Sequence, residues 1–380
     1  MIFGPFNLLF YLLTSAISLA ILGGGIYFVW GWYEGVFTAV GFLAAGIIMI
    51  VLSFTGCLIM RFALGRKKPA ADPNLAPDGI VHRISRPNGS ELYVEQYGPE
   101  NGPALILTHG LSLSASSWNY QKRLLADRYR LFAWDVPGFG RTRGPSSGAY
   151  TMEMLAEDLQ AVVNLTGDSA VILVGHSMGG MITLTYCRMF PQELGQRIRG
   201  LILTQTTFTN PVKTAKFHKL LTALQQPFLV PLCWLMIILS PLIWLMNLQN
   251  YLSGMTHLTT HLTGFAGTET PEQLEFASRY SIASSPASVG RALLAMFRYD
   301  AKDILPTISV PTLVITGDHD LITLPSAGEI IRESIPGAEE TRLSPSGHMG
   351  LVEQYATLGE KMALWAGVCF AEAPATRRTA

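Results

Sequence analysis

Charge is scarce in this chain. Only 14% of its 380 residues are Asp, Glu, Lys or Arg, against roughly 25% in an ordinary soluble domain. The 27 basic and 27 acidic residues cancel, and no basic stripe is present, which argues against a nucleic-acid partner. Cysteine is sparse as well. Cys57, Cys187, Cys233 and Cys369 stand far apart with no CxxC pair, so buried thiols in a reducing compartment are expected rather than a disulfide framework. The leader MIFGPFN lacks the basic segment of a secretory signal, and a second apolar run follows the first at once, which argues against cleavage.

What is abundant is uncharged, apolar sequence, 49% of the whole. Residues 7–30 and 36–60 contain no Asp, Glu, Lys or Arg, and each exceeds the ~20 apolar residues that span a bilayer. Only Gly31-Trp-Tyr-Glu-Gly35 separates them, so residues 1–65 are expected to form a transmembrane helical hairpin. Trp30, Trp32 and Tyr33 cluster at its turn, where amphipathic rings favour the headgroup layer. Arg61, Arg66, Lys67 and Lys68 crowd the far end. The positive-inside rule then places the N-terminus and everything after residue 61 in the cytoplasm. Small residues (Gly23, Gly24, Gly25, Gly41, Ala44, Ala45) permit close helix contact within the hairpin. Residues 66–79, rich in Pro, Ala and Asp, read as a linker, and residues 66–89 as the approach to a second unit.

From residue 90 the pattern changes to short apolar runs alternating with amphipathic ones. Residues 91–98, 103–110, 129–135, 170–177, 199–205 and 311–318 read as strands, and residues 117–127, 151–166, 178–190, 326–335 and 349–366 as helices. Continuous apolar strands alternating with helices imply a mostly parallel sheet covered on both faces. In such sheets ligands bind beyond the carboxyl ends of the strands.

One such end carries Gly175-His176-Ser177-Met178-Gly179, a G-x-S-x-G pattern between a strand and a helix. Glycines 175 and 179 leave room for a turn so tight that it lifts the serine hydroxyl clear of the sheet, at the start of the next helix. A serine needs a base, and the base needs an orienting acid. For this elbow the order is Ser, acid, His. Gly317-Asp-His-Asp320 after the last apolar strand offers Asp318 and Asp320. Ser346-Gly-His-Met-Gly350 supplies His348, the only histidine that combines late position, glycine neighbours and an expected loop. His109 and His176 precede the acid and are expected to serve the turns structurally.

These motifs together resemble the α/β-hydrolase superfamily, in particular lipases and esterases similar to monoacylglycerol lipases. The matching residues are His109-Gly110, Asp135-x-Pro137-Gly138-x-Gly140, the elbow, Gly317-x-x-Asp320 followed by Pro325, and Gly347-His348. The resemblance covers about residues 90–368. It implies Asp320 rather than Asp318 as the acid, and an oxyanion hole made of the Leu111 and Met178 backbone N–H groups. The implied reaction is acyl transfer from an ester to water through Ser177, with no metal or organic cofactor. Serine at the elbow argues against the dehalogenase and epoxide-hydrolase branches, whose nucleophile is a carboxylate.

The expected division is a hydrolase core at 90–205 and 306–368, a cap or lid at 206–305, and a tail at 369–380. No Asp, Glu, Lys or Arg occurs from Leu220 to Thr268. Residues 227–248 would pass for a third span, but one crossing there would separate Ser177 from His348. Pro231 and Pro241 also interrupt a straight helix. An interfacial or re-entrant cap lying against the bilayer is therefore expected. It favours an amphiphilic ester arriving from lipid, and the architecture suggests a bacterial inner membrane. His257 and His261 have the i,i+4 spacing of zinc ligands, but no third ligand accompanies them, and they are expected on the cap's polar side. Trp118 and Trp134 are expected in the core, and Arg377-Arg378 in a solvated tail. An acyltransferase, a thioesterase or a carbon–carbon bond hydrolase would carry the same three residues, and a scaffold that kept the fold is the remaining alternative.

Overall fold

The computed structural model describes residues 5–371; the expected Arg377-Arg378 tail lies outside them. Two helices, α1 (Pro5–Tyr33) and α2 (Val40–Leu64), form an antiparallel hairpin. Their contact closes around glycine: a Cβ on Gly25 would sit 3.0 Å from the Gly46 carbonyl oxygen. Both helices are long and apolar enough to cross a membrane. Helix α1 runs through Tyr33, so the three aromatic residues sit on its last turn rather than in a loop.

The linker is not a free tether. Tyr120 Oη donates to the Ala71 carbonyl at 2.7 Å, Asn119 Nδ2 to that of Pro73 at 3.1 Å, and Arg123 Nη1 to those of Asp72 and Leu75 at 2.7 and 2.9 Å. Its Pro and Ala content signalled irregular backbone, and irregular backbone can still be pinned by side chains from elsewhere.

Eight strands follow: β1 (Ile80–Ser85), β2 (Glu91–Tyr97), β3 (Ala104–Thr108), β4 (Arg130–Trp134), β5 (Val171–His176), β6 (Ile198–Thr204), β7 (Thr312–Gly317) and β8 (Glu339–Leu343). They form one sheet in the order β1-β2-β4-β3-β5-β6-β7-β8. The β1–β2 and β2–β4 pairs are antiparallel and the rest parallel. The central strands ALILT, VILVGH and TLVITG are buried at every position, as a sheet covered on both faces requires. The edge strands β1 and β8 went unread in the sequence. Their exposed, charged residues give neither a continuous apolar run nor a clean alternation.

Helices α3 (Asn119–Leu125), α4 (Met152–Asn164) and α5 (Met178–Met189) cover the first half of the sheet. The expected 349–366 helix is two elements. With α12 (Pro325–Ser334) between them and β7, they are α13 (Gly350–Glu353) and α14 (Tyr355–Ala371), so the helix extends into the expected tail. Between β6 and β7 lie α6 (His218–Leu224), α7 (Val230–Ile238), α8 (Ser240–Leu252), α9 (Met255–Gly264), α10 (Pro271–Ala283) and α11 (Pro286–Met296). A π-helical turn at Gln225–Leu229 joins α6 to α7 and absorbs Pro231, so His218–Ile238 forms a third apolar stretch of spanning length. Pro241 instead sits in the first turn of α8, where its missing N–H costs nothing.

The hairpin and these insert helices share a polar seam. Ser18 Oγ donates to Ser253 Oγ at 2.9 Å, Asn250 Nδ2 to Ser15 Oγ at 2.6 Å, and Gln249 Nε2 to the Ser53 carbonyl at 3.2 Å. Gly56 lies so close to the Ser253 backbone that no Cβ would fit.

Candidate functional site

Strand β5 ends at His176, and Ser177 follows with φ 53° and ψ −121°. A non-glycine residue at positive φ is strained by about 1–3 kcal/mol and persists only where its surroundings impose it. Glycines impose it here. A Cβ on Gly175 would meet the Gly179 carbonyl at 2.6 Å, and one on Gly179 would collide with the Thr108 carbonyl oxygen. Ser177 N donates to the Thr204 carbonyl at 3.1 Å and Thr206 Oγ1 to the Ser177 carbonyl at 2.6 Å, which ties the turn to β6.

His348 arrives from the loop between β8 and α13. Its Nε2 lies 2.9 Å from Ser177 Oγ and its Nδ1 2.8 Å from Asp320 Oδ2. All three residues are buried, Ser177 being 7% exposed. Asp320 is held by Ile322 N at 2.8 Å and Thr323 N at 3.0 Å on Oδ1, and by Thr323 Oγ1 at 2.7 Å on Oδ2. Asp318 points elsewhere, accepting from Ser344 Oγ at 2.6 Å and Ser346 N at 2.8 Å and pairing with His319 at 2.8 Å. Burial opposes its ionisation, but these three partners hold its carboxyl below the usual range. Of the two candidates, only Asp320 contacts His348.

Leu111, in the loop after β3, and Met178, the first residue of α5 and next to Ser177 in sequence, are buried. Among the described residues neither backbone N–H has a hydrogen-bond acceptor. Two free backbone amides beside the Ser177 hydroxyl could receive a developing oxyanion. Gly110 allows the first loop this close, since a Cβ there would lie 2.9 Å from Ser177 Cβ.

The other histidines divide by partner. His109 Nδ1 donates to the Gly110 carbonyl at 2.7 Å and its Nε2 accepts from Val136 N at 2.9 Å. Burial pushes its pKa down to about 4, so it is a neutral strut between two loops. His176 Nε2 donates to the His348 carbonyl at 2.9 Å. Burial, and then the neighbouring His348, keep it neutral. It therefore supports the loop of His348 rather than the Leu111 turn. His257 and His261 are not on a polar face. His257 is fully buried against Glu275 at 2.8 Å, and His261 pairs with Glu269 at 2.5 Å, so the two share no ligand. Trp118 and Trp134 are fully buried in the core.

Sequence reading missed Thr323, whose hydroxyl bonds Asp320 and lies 3.3 Å from His348 Nδ1. It also missed Glu353. That buried carboxylate accepts from Gly347 N at 2.8 Å and from Ala266 N at 2.9 Å, which clamps the His348 loop to the end of α9. Burial raises its pKa and the surrounding donors partly offset this. A Thr three residues after the acid, within the loop, was the available signal for the first; nothing local marked the second.

Residues 103–355 match the family model described as alpha/beta hydrolase fold. Epoxide hydrolase 3 of Xenopus tropicalis is 28% identical over 241 residues, or 61% of this chain and 62% of the relative. Bifunctional epoxide hydrolase 2 of Sus scrofa is 31% identical over 146 residues, or 37% of this chain and 25% of the relative. The chain thus spans less than two thirds of the length of these curated relatives. A thermophilic esterase from Thermogutta terrifontis superposes with a TM-score of 0.60 at 25% identity, covering 76% of this chain and 99% of its own. A membrane phospholipase A, described as a bacterial virulence factor, gives 0.58 at 20% identity over 86% of this chain and 95% of its own. At that identity the likeness concerns fold alone.

Proposed function

Because the chain belongs to the α/β-hydrolase fold family, we propose that it is a membrane-anchored serine hydrolase cleaving carboxylic esters of hydrophobic or lipid-like molecules. The observation that carries this is the unbroken relay from Ser177 Oγ through His348 to Asp320. Ser177 Oγ attacks the ester carbonyl while His348 Nε2 takes its proton. Asp320 fixes the imidazole and stabilises its positive charge. The Leu111 and Met178 amides hold the oxyanion. His348 then protonates the departing alkoxide, leaving an acyl-serine. Water adds to that acyl carbon as His348 removes a proton, and the carboxylic acid leaves as Ser177 regains its hydrogen. Two curated relatives are named epoxide hydrolases. The residue at this chain's elbow is a serine, which suits acyl transfer better than epoxide opening by a carboxylate.

The lipid-like substrate rests on helix lengths. Above the polar seam, residues 19–33 and 40–52 rise only about 20–22 Å at ~1.5 Å per residue. A bilayer's hydrocarbon core is about 30 Å thick. If the hairpin spans it, the seam and α8 sit roughly 8–10 Å inside the hydrocarbon. The outer faces of α7 and α8 suit that depth: Ile238 is 71% exposed, and Trp234, Leu235, Leu242 and Leu245 are about half exposed. The insert helices then form a lid whose outer surface is lipid, and a fatty-acyl ester reaches Ser177 without crossing water. The basic residues 61, 66, 67 and 68 favour a cytoplasmic catalytic domain, as at a bacterial inner membrane.

Fluorophosphonate labelling of the full-length protein in lipid, wild type beside Ser177→Ala, tests the chemistry. Labelling confined to the wild type, with ester turnover rising with acyl length, is expected. An unlabelled but folded wild type would sink the proposal.

A further inference from the structure

A cavity of about 720 Å³ lies where α7, α11 and the loop before α4 meet. Neither Ser177, Asp320 nor His348 lines it. Three arginines do: Arg188, Arg291 and Arg298. Arg188 is engaged, donating to the Asp300 carbonyl at 2.8 Å and pairing with Asp303. Arg291 and Arg298 have no ion-pair partner among the described residues. The Arg291 guanidinium lies against the 147–149 loop, where a Cβ on Gly148 would meet its Nε and Nη2 at 3.4 Å. Two acidic residues also line the space, and neither neutralises these cations. Asp300 accepts from Thr209 Oγ1 at 2.8 Å and Lys302 N at 3.0 Å. Glu153 occupies the first turn of α4, where the helix's own positive end compensates it. Tyr299, 5% exposed, also lines the space.

Part of the lining is apolar. Trp234 and Ile237 from α7 and Leu294 from α11 form it, and it continues into the exposed apolar surface of α7. Two unpaired guanidinium groups call for an oxyanion that can take paired hydrogen bonds, phosphate above all. The apolar part calls for a ligand whose remainder is hydrocarbon. We propose that this cavity binds the phosphate of an anionic membrane phospholipid, with its acyl chains along Trp234 and Ile237. The phosphate sits between Arg291 and Arg298 at headgroup level, and its chains run along the outer face of α7 into the hydrocarbon. This rests on the lipid-facing reading of the insert and is independent of the esterase chemistry.

Trp234 makes the site readable. The full-length protein is placed in phosphatidylcholine nanodiscs, with phosphatidylglycerol added, and bromine is carried on the acyl chains of one lipid at a time. Quenching of Trp30 and Trp32 by brominated phosphatidylcholine reports insertion of the hairpin, the reading on which the site depends. Quenching that disappears in Trp234→Phe reports the cavity. That component should saturate with brominated phosphatidylglycerol at low mole fraction. It should weaken about tenfold or more in Arg291→Ala/Arg298→Ala, since each charge-assisted contact is worth a large part of a tenfold change. The Lys/Lys pair should recover part of it. Equal quenching of Trp234 by both lipids, or no change in the Ala/Ala variant at unaltered melting temperature, overturns the proposal. Displacement of phosphatidylglycerol by millimolar inorganic phosphate would assign the site to a soluble phosphoester and overturn the lipid as its occupant.

Discussion

Glu275 is where the insert can be cut with one atom. Its carboxylate accepts from His257 Nε2 at 2.8 Å on α9, from Arg279 Nε at 2.7 Å on its own helix, and from the Tyr251 hydroxyl on α8. Burial alone would raise its pKa, but the donors from His257, Tyr251 and Arg279 outweigh it and bring the carboxyl down to about 2 from 4.5. A carboxyl depressed by that much contributes about 3 kcal/mol to the folded insert at pH 7. The sign follows from the depression. The contribution is complete above the unfolded value near 4.5 and fades as pH falls towards 2. By pH 3 about 2 kcal/mol of it should be gone. Glu275→Gln removes the charge and leaves the shape. Amide exchange of α9 and α10 in detergent, wild type against variant, reads the local opening free energy. The gap should be about 3 kcal/mol at pH 7 and close by about 2 kcal/mol at pH 3. A gap that stays constant with pH, or never exceeds about 0.5 kcal/mol, the usual size of a surface substitution, would refute the reasoning.

The acid assignment is tested by two neighbours. Asp320→Asn should lower kcat about 10⁴-fold on any turned-over ester, because the imidazole loses its tautomer and its counter-charge. Asp318→Asn should keep kcat within a few-fold, and the reverse order would move the acid to Asp318. At the polar seam, Asn250→Leu removes the hydrogen bond to Ser15, whose hydroxyl can fall back on its own helix, and the lost net bond should destabilise the docked hairpin by about 1 kcal/mol. Exchange of the α8 amides should quicken roughly fivefold, on the usual scale that ~1.4 kcal/mol is tenfold; unchanged rates would mean that packing alone holds the hairpin.

The site was legible because its parts are local. The elbow needs glycines two residues either side of Ser177, and β5 and α5 abut it directly in sequence. Asp320 and His348 each follow an identifiable turn. The choice between Asp318 and Asp320 was not local. It depends on which carboxylate faces a ring 28 residues downstream, and only the loop backbone around Ile322 and Thr323 decides that. The insert was the least legible part. Its apolar composition pointed to lipid, but its pairings were not local: His257 finds Glu275 18 residues away and Asn250 finds Ser15 across 235. No periodicity encodes such pairings. The expectation of a polar surface for His257 failed for the same reason: the carboxylate that makes its burial tolerable lies on another helix.

The seam also sets a schedule. Ser15 and Ser18 are translated 235 residues before Asn250 and Ser253, their partners. At ~5–20 residues per second that interval is roughly 10–50 s. On the proposed membrane reading, a hairpin entering the bilayer as it is made must hold those hydroxyls in hydrocarbon for the whole wait. Serine and threonine are the polar residues that can, because each can turn its hydroxyl back onto its own helix. Thr14 already does so towards the Phe10 carbonyl at 2.9 Å, and Ser53 towards that of Met49 at 2.8 Å. The longer amides, Gln249 and Asn250, lie on the partner that arrives last, so the half that must wait alone is made of side chains able to satisfy themselves.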